Sequence, residues 1–469
     1  MAFIGALFLV VFLLLRPMDL WPEVAGLHSL EALSTLTAAG VGWETLRRRP
    51  DSAASPQLPW LAAVCALAYA VSVARLGLDR GLSAGWSITL GPFFMLLFVF
   101  AFGTMKRLRA LMAVLLACLA FISVVAIHQG EQPRQCVELH EDPSEPGSEP
   151  AMIPDGRACE GARLCESEGG VPGSDYVCER VGLLGTISTQ GRVRWRGQLD
   201  DPNELAVIIG ALLPFLFMFG SKASDADAVR GGKRLLTLFL LGLFLFVSVW
   251  AVVLTQSRGG QIVVGIAVVS MLVRRYGWWA VIAGAMMTAP LVVLSWRSGT
   301  DADSSSAERA EILAEGLQLL KSHPLVGIGV AQFAKENPMN MAAHNSYLLI
   351  ATELGVPGFL VWCGLVWMTT KVPFAIVRRP PPGLDPGTLL FAEALAASML
   401  ALHAGVFFLS FIYKTIFFVW LALPGALYIA VRAVHPEFEV RVTKRDLAGT
   451  CVLAVASIIS VRVAAMSAH

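Results

Sequence analysis

Apolar stretches of roughly 18 to 23 residues, each long enough to cross a bilayer core of about 30 Å, recur along the whole 469-residue chain. Candidate spans lie at 2–15, 23–45, 57–78, 82–103, 110–128, 204–220, 235–255, 260–273, 277–295, 346–369, 386–409, 415–432 and 446–466. The second contains His28, Glu31 and Glu44, and the last contains Arg462, so these two are the least apolar in kind. The first lacks a basic leader and a small-residue cleavage site, and many spans follow it, so it reads as a helix and not as a signal peptide. Only 15% of the residues are charged, where a soluble protein carries about 25%. The balance of 36 Lys+Arg against 35 Asp+Glu leaves no basic field for nucleic acid. The expected fold is an all-α integral membrane protein with about 12–13 transmembrane helices.

Lys and Arg concentrate in the short loops that stay in the cytoplasm. Basic clusters occur at Arg47-Arg48-Arg49, at Lys106, Arg107 and Arg109, over 222–234, at Arg274-Arg275, at Arg378-Arg379, and at Arg441 with Lys444 and Arg445. They follow every second span, so one topology puts them all inside, with the segments 129–203, 256–259 and 296–345 outside. The chain divides accordingly into N-terminal spans (1–128), an outer Cys-containing loop (129–203), central spans (204–295), an outer loop with an amphipathic helix (296–345) and C-terminal spans (346–469).

Cys136, Cys159, Cys165 and Cys178 all fall in the long outer loop, whereas Cys65, Cys118, Cys363 and Cys451 fall in apolar spans. Four cysteines in a Pro/Gly/Glu-rich outer segment point to two disulfides stapling a loop too poor in apolar residues to build a core. Three pairings are open. Zinc is the rival reading, against which stands the lack of a paired CxxC.

Ionisable groups beside membrane spans are candidates for function. One cluster runs from Arg194 to Ala206, where Asp201-Pro202-Asn203 has the form of a helix start, Asp201 as N-cap and Pro202 in the first turn. A second is Thr255-Gln256-Ser257-Arg258-Gly259-Gly260, at the outer end of an apolar helix. Its glycines allow close backbone approach or a sharp break. Its arginine either snorkels to the interface or offers paired donors to a phosphate. The third spans 309–358. Ile312, Leu313, Leu317 and Leu320 share a stripe of an amphipathic helix over 307–321, followed by His323-Pro324-Leu325-Val326-Gly327-Ile328-Gly329, by His344-Asn345-Ser346-Tyr347, and by Glu353-Leu354-Gly355-Val356-Pro357-Gly358. His344 stands at an outer helix mouth among polar neighbours, where an imidazole can accept a proton near neutral pH. The other histidines, His28, His128, His140, His403, His435 and His469, lie in spans, in the loop, on the inner side or at the chain end.

Taken in order, Arg-x-x-Gly, Asp-Pro-Asn-x-Leu-Ala, Ser-Arg-Gly, an arginine, His-Pro-Leu-x-Gly-x-Gly, His-Asn-x-Tyr-Leu and Glu-x-Gly-x-x-Gly resemble the O-antigen ligase and polymerase superfamily over about residues 190–365. The resemblance implies a metal-independent, inverting glycosyltransferase of the GT-C type, without cofactor, in the bacterial inner membrane and acting on its periplasmic face. The donor it implies is an undecaprenyl-pyrophosphate-linked glycan; the acceptor is lipid A–core for a ligase or a second lipid-linked glycan for a polymerase. It assigns Arg194, Arg258 and, at the start of the outer helix, Arg309 to the donor pyrophosphate, makes His344, as proton acceptor or donor, catalytic together with Arg258, and makes Asn203 and Asn345, with Ser257 beside Arg258, organisers of the site. Family members usually have about 12 spans, so either 446–466 is an extra span or one of the other segments does not cross. The Cys-bearing insertion is not a family hallmark.

The chemistry agrees with the residues. A pyrophosphate is already a good leaving group, so the protein has to neutralise charge, as preorganised arginines do, and deprotonate a sugar hydroxyl, as His344 would. Asp200 and Asp201 make a poor cation site alone. Polymerase activity, protein oligosaccharide transfer and, from another class, a transporter or lipid flippase stand as alternatives. Against the last, no repeat is evident and the salient charges sit at the outer mouth rather than at mid-membrane.

Overall fold

The computed structural model describes residues 2–26, 28–47, 55–140, 150–167, 169–171, 174–218, 231–282, 284, 286 and 300–466. The N-terminal helices are α1 (Ala2–Leu15), α2 (Ser29–Arg47), α3 (Leu58–Leu76), α4 (Leu78–Ala101) and α5 (Met105–Glu131). A loop bearing the short α6 (Ala162–Ser167) leads to α7 (Pro202–Leu212), α8 (Gly231–Leu254), α9 (Arg258–Tyr276) and α10 (Thr300–Ser322). The C-terminal helices are α11 (Ser346–Arg378), α12 (Pro386–Gly405), α13 (Thr415–Arg432) and α14 (Lys444–Met466).

Among the described residues eight helices are long and apolar enough to cross a membrane: α3, α4, α5, most of α8, α11, α12, α13 and α14. Shorter apolar helices occupy Ala2–Leu15, Pro202–Met218 and Arg258–Val273. The expected span at 23–45 is broken into a short helical turn, Pro22–Ala25, and the helix from Ser29, which packs on α1. The expected span at 277–295 lies mostly outside the described residues, as do Arg48, Arg49 and most of the 222–234 cluster. The segment 446–466 lies in α14, packed along α11 and α10.

A helix that is apolar all round belongs inside a bundle. Helix α13 is buried from Thr415 to Val431, and α7 from Glu204 to Leu212. Around them α8 and α14 show large apolar side chains outward, such as Leu235, Phe239 and Phe246 on α8 and Val452, Val455 and Ile459 on α14.

One expectation needs correction. The expected span 346–369 is not one straight helix. Gly355 has φ 68° and ψ 178°, Pro357 follows, and the chain folds back so that the rings of Tyr347 and Trp362 meet edge to face, centroids 5.0 Å apart. In an unbroken helix fifteen residues would separate them by about 22 Å. The crossing part of α11 is therefore 356–378.

Within a mostly helical fold, consistent with the expected all-α membrane protein, the cysteine loop carries a small sheet. Strands β1 (Arg134–His140), β2 (Ala151–Ala158) and β3 (Asp175–Arg180) form an antiparallel sheet in the order β2-β1-β3. β2 is exposed along nearly its whole length and contains Pro154 and Gly156, so it carries none of the alternation that marks a half-buried strand. Cys136 is bonded to Cys165 and Cys159 to Cys178, with Cα separations of 5.7 and 5.5 Å. The two bonds touch: Cys159 Sγ lies 3.2 Å from Cys165 Sγ. With Tyr176 they make up the small interior of this sheet.

Candidate functional site

The flagged motifs meet at one end of the bundle. Asp201 caps α7, its carboxylate accepting from Asn203 N at 2.6 Å, and Pro202 occupies the first turn, where no N–H is needed. Ser257 caps α9 by accepting from Gly260 N at 3.1 Å, and this starts the helix at Arg258, whose side chain is exposed. The sharp reversal between α8 and α9 is made at Gln256, with φ 52°. Gly260 has another task. A Cβ there would run into Ala206, so glycine lets α9 lie directly on α7.

Asn345 caps α11, accepting from Leu348 N at 2.9 Å, and its amide donates to Phe407 O at 2.7 Å. Ser346 donates to Leu409 O at 2.6 Å and accepts from Phe411 N at 2.9 Å. Gly259 packs on Phe408. Arg258 and His344 are thus each one residue from a group resting on the Phe407-Phe408 turn.

His344 itself has φ 48°, a backbone conformation an L-residue adopts at a cost of order 1–3 kcal/mol unless its surroundings demand it. Burial, and then the positive charge of Arg309, hold its imidazole below the ordinary value, with Asp201 opposing. An imidazole kept neutral beside an arginine is a proton acceptor already in its working state.

The structure separates the three arginines of the 192–196 run. Arg192 is buried, donating to Thr255 O and to Asn203 Oδ1, both at 2.8 Å, and so ties the α8–α9 turn to the start of α7. Arg196 donates to the carbonyls of Asp19, at 3.0 Å, and of Leu184, holding the loop to the end of α1. Arg194 donates to Ile187 O at 2.9 Å and Met152 Sδ at 3.2 Å, and its backbone N–H reaches Gln129 Oε1 at 2.9 Å. These contacts belong to the loop and α5; none is with His344, Arg258 or Arg309.

The His-Pro-Leu-x-Gly-x-Gly motif repairs the break in α11. Pro357 has no N–H, so the Glu353 carbonyl loses its helical donor, and Gly329 N supplies one at 3.0 Å. Ile328 N donates to Thr352 O at 3.0 Å, and Val356 N turns away to Pro324 O at 2.8 Å. Gly327 (φ 62°) and Gly355 (φ 68°) sit face to face across this clamp; a Cβ on Gly355 would lie 2.8 Å from the Leu325 carbonyl.

Sequence reasoning missed Tyr413-Lys414, which joins these parts. Tyr413 OH donates to buried Glu353, which also accepts from Phe333 N at 3.2 Å, while the phenol oxygen accepts from Ala331 N at 3.0 Å. Burial pushes the Tyr413 phenol well above its ordinary value, so it keeps its proton and donates. Lys414 Nζ lies 2.9 Å from Asp200 and 3.0 Å from Glu204, a carboxylate only 8% exposed. The contact with Glu204 is ionic, without the direction of a hydrogen bond. Burial pulls the Lys414 ammonium down, but the two carboxylates outweigh it and leave it raised. The available signal was a lysine between two apolar spans.

Comparison with known families puts this arrangement in context. Residues 243–363 match the family model described as O-Antigen ligase. This match supports the resemblance to the O-antigen ligase/polymerase superfamily over that segment. The matched segment contains Ser257, Arg258, Arg309, His344, Asn345 and the clamp, and ends before α12. No curated protein matches the chain.

Proposed function

We propose that the protein is an O-antigen ligase that moves a glycan from undecaprenyl pyrophosphate to lipid A–core on the periplasmic face of the bacterial inner membrane. The observation that carries the reading is the meeting of Arg309, His344 and Asp201 at the capped starts of α7, α9 and α11, with Arg258 on the same rim. The match to an O-antigen ligase family supports it.

His344 accepts the proton of the acceptor hydroxyl as that oxygen attacks the anomeric carbon. The bond to pyrophosphate breaks on the opposite face, inverting the configuration, and Arg258 and Arg309 hold the negative charge of the departing diphosphate. No step calls for a metal. Arg194 joins the donor site by exchanging two neutral acceptors, Met152 Sδ and Ile187 O, for phosphate oxygens, which breaks no ion pair.

A deletion strain tests this directly, with surface polysaccharide sized on gels and lipid-linked intermediates extracted in parallel. The ligase reading expects long chains missing from lipid A–core and retained on undecaprenyl pyrophosphate. Single repeat units with no long chains anywhere would make the protein a polymerase, and unchanged pools would sink both. In the complemented strain, His344→Ala is expected to lower transfer by about 10² to 10⁴, and Arg258→Ala to lower it comparably. Full activity of either variant at normal protein level would remove that residue from the mechanism.

A further inference from the structure

Toward the Arg378 end of α11, two adjoining cavities share Lys371 and Arg378. The outer one, about 640 Å³, lies between the end of α11, the Pro380-Pro381-Pro382 turn and the strap 437–443. The inner one, about 410 Å³, runs between α11, α12 and α14 along Trp367, Phe374, Leu400 and Leu453, and passes His403.

The charges of the outer cavity are unequally neutralised. Lys371 Nζ is taken by Asp446 at 2.6 Å and by the Arg441 carbonyl at 2.6 Å. Arg441 pairs with Glu439 at 2.7 Å, and Glu437 lies 3.6 Å from His435. Arg378 and Arg379 are exposed and meet no carboxylate among the described residues; Arg378 lies over the Phe374 ring, 5.7 Å from its centroid. Two arginines above a slot floored by aromatic and aliphatic side chains match an amphiphile with an anionic head and a hydrocarbon tail. The slot follows α11 from Arg378 to Val366, about 18 Å at helical rise, past the point where Thr370 Oγ1 meets His403 Nδ1 at 3.0 Å, and Tyr347 lines its inner end.

We propose that this paired cavity binds an anionic phospholipid of the surrounding bilayer, its phosphate on Arg378 and Arg379 and one acyl chain in the slot beside Trp367, Phe374, Leu400 and Leu453. The head-group end, at Arg378 and Arg379, lies at the other end of α11 from the His344 motif, and the test reads lipid binding alone, so the proposal stands or falls independently of the glycosyltransferase reading.

The test is native mass spectrometry of the full-length protein in detergent, titrated with dioleoylphosphatidylglycerol, dioleoylphosphatidylcholine or water-soluble glycerol 3-phosphate. Phosphatidylglycerol is expected to bind about tenfold more tightly than phosphatidylcholine, and the double variant Arg378→Ala/Arg379→Ala to lose that preference. Leu453→Trp, which fills the slot, is expected to weaken phosphatidylglycerol binding at least as much. Thermal midpoints measured in phosphatidylcholine check that both variants are folded. Equal binding of the two lipids, or a preference that survives the double arginine variant, overturns the proposal. Glycerol 3-phosphate displacing the lipid at equal concentration would make this a free-phosphate pocket and overturn the acyl-chain part. Undiminished binding by folded Leu453→Trp would do the same.

Discussion

The rim around His344 and the sheet at 134–180 are held by different means. The sheet has an interior of little more than Tyr176 and the cysteines, and it relies on covalent bonds. The rim rests on the fully packed helices α7 and α13 and has no covalent link. It is fixed by side-chain caps, by the clamp from 324–329 and by the ion triad at Lys414. A region with little apolar surface gains order by restricting its unfolded state, whereas one seated on a core can use directional polar contacts to place side chains. The second design suits chemistry, because each contact sets a position.

The largest expected effect that sharpens this contrast is at Gly355. Gly355→Ala combines positive φ with a clash against backbone at Leu325, and should destabilise the fold by about 3 kcal/mol or more while abolishing transfer. Near-normal thermal stability would show that the clamp gives way. Next comes Lys414→Met, which removes the cation shared by Asp200 and buried Glu204. A loss of about 3 kcal/mol is expected, partly recovered in Lys414→Met/Glu204→Gln; no recovery would mean the ion pair is not what holds the segment. Opening a disulfide with Cys136→Ser/Cys165→Ser should cost the sheet about 2–4 kcal/mol, read by proteolysis of the loop, while transfer falls far less than with His344→Ala. An equal fall would tie the sheet to the chemistry.

The smallest effect is a pH shift. With its folded value held below 6.5, His344 is neutral above that pH, so transfer should be flat there and decline only under more acid conditions. For stability the sign is the same: the buried neutral form favours folding above the unfolded value, and that contribution is lost as pH falls through it. Arg309→Ala removes one of the two lowering influences and should move the acid limb toward higher pH. A limb that stays put would mean that the charge at Arg309 does not act on the imidazole that limits the rate.

Much of this was legible in one dimension. Apolar length announced the helices, and Asp201, Ser257 and Asn345 stand at helix starts because short polar side chains there satisfy free N–H groups, while Pro202 fits a first turn that needs no N–H. What escaped reading depended on distant partners. Lys414 and Asp200 are 214 residues apart, and nothing local distinguishes Lys414 from an interfacial lysine. The break at Gly355 was masked because apolar residues continue on both sides of it, although Gly-Val-Pro is the sort of sequence that interrupts a helix. Arg192 looked like one basic residue among three, and only burial between two motifs distinguishes it from Arg196.

The sheet also begins and ends in one place. Arg134 on the first strand is the register partner of Arg180 on the last, and Gly182 packs against Gln129 at the end of α5. Neighbouring strands sit about 4.8 Å apart, so the chain leaves and re-enters the bundle through nearly the same point. Such an insert behaves as a cassette: a tight turn in its place would leave the path of the helices unchanged, and an unrelated domain with adjacent termini would fit the same socket. The molecule thus provides a handle for fiducial fusion or affinity capture without disturbing the buried helices.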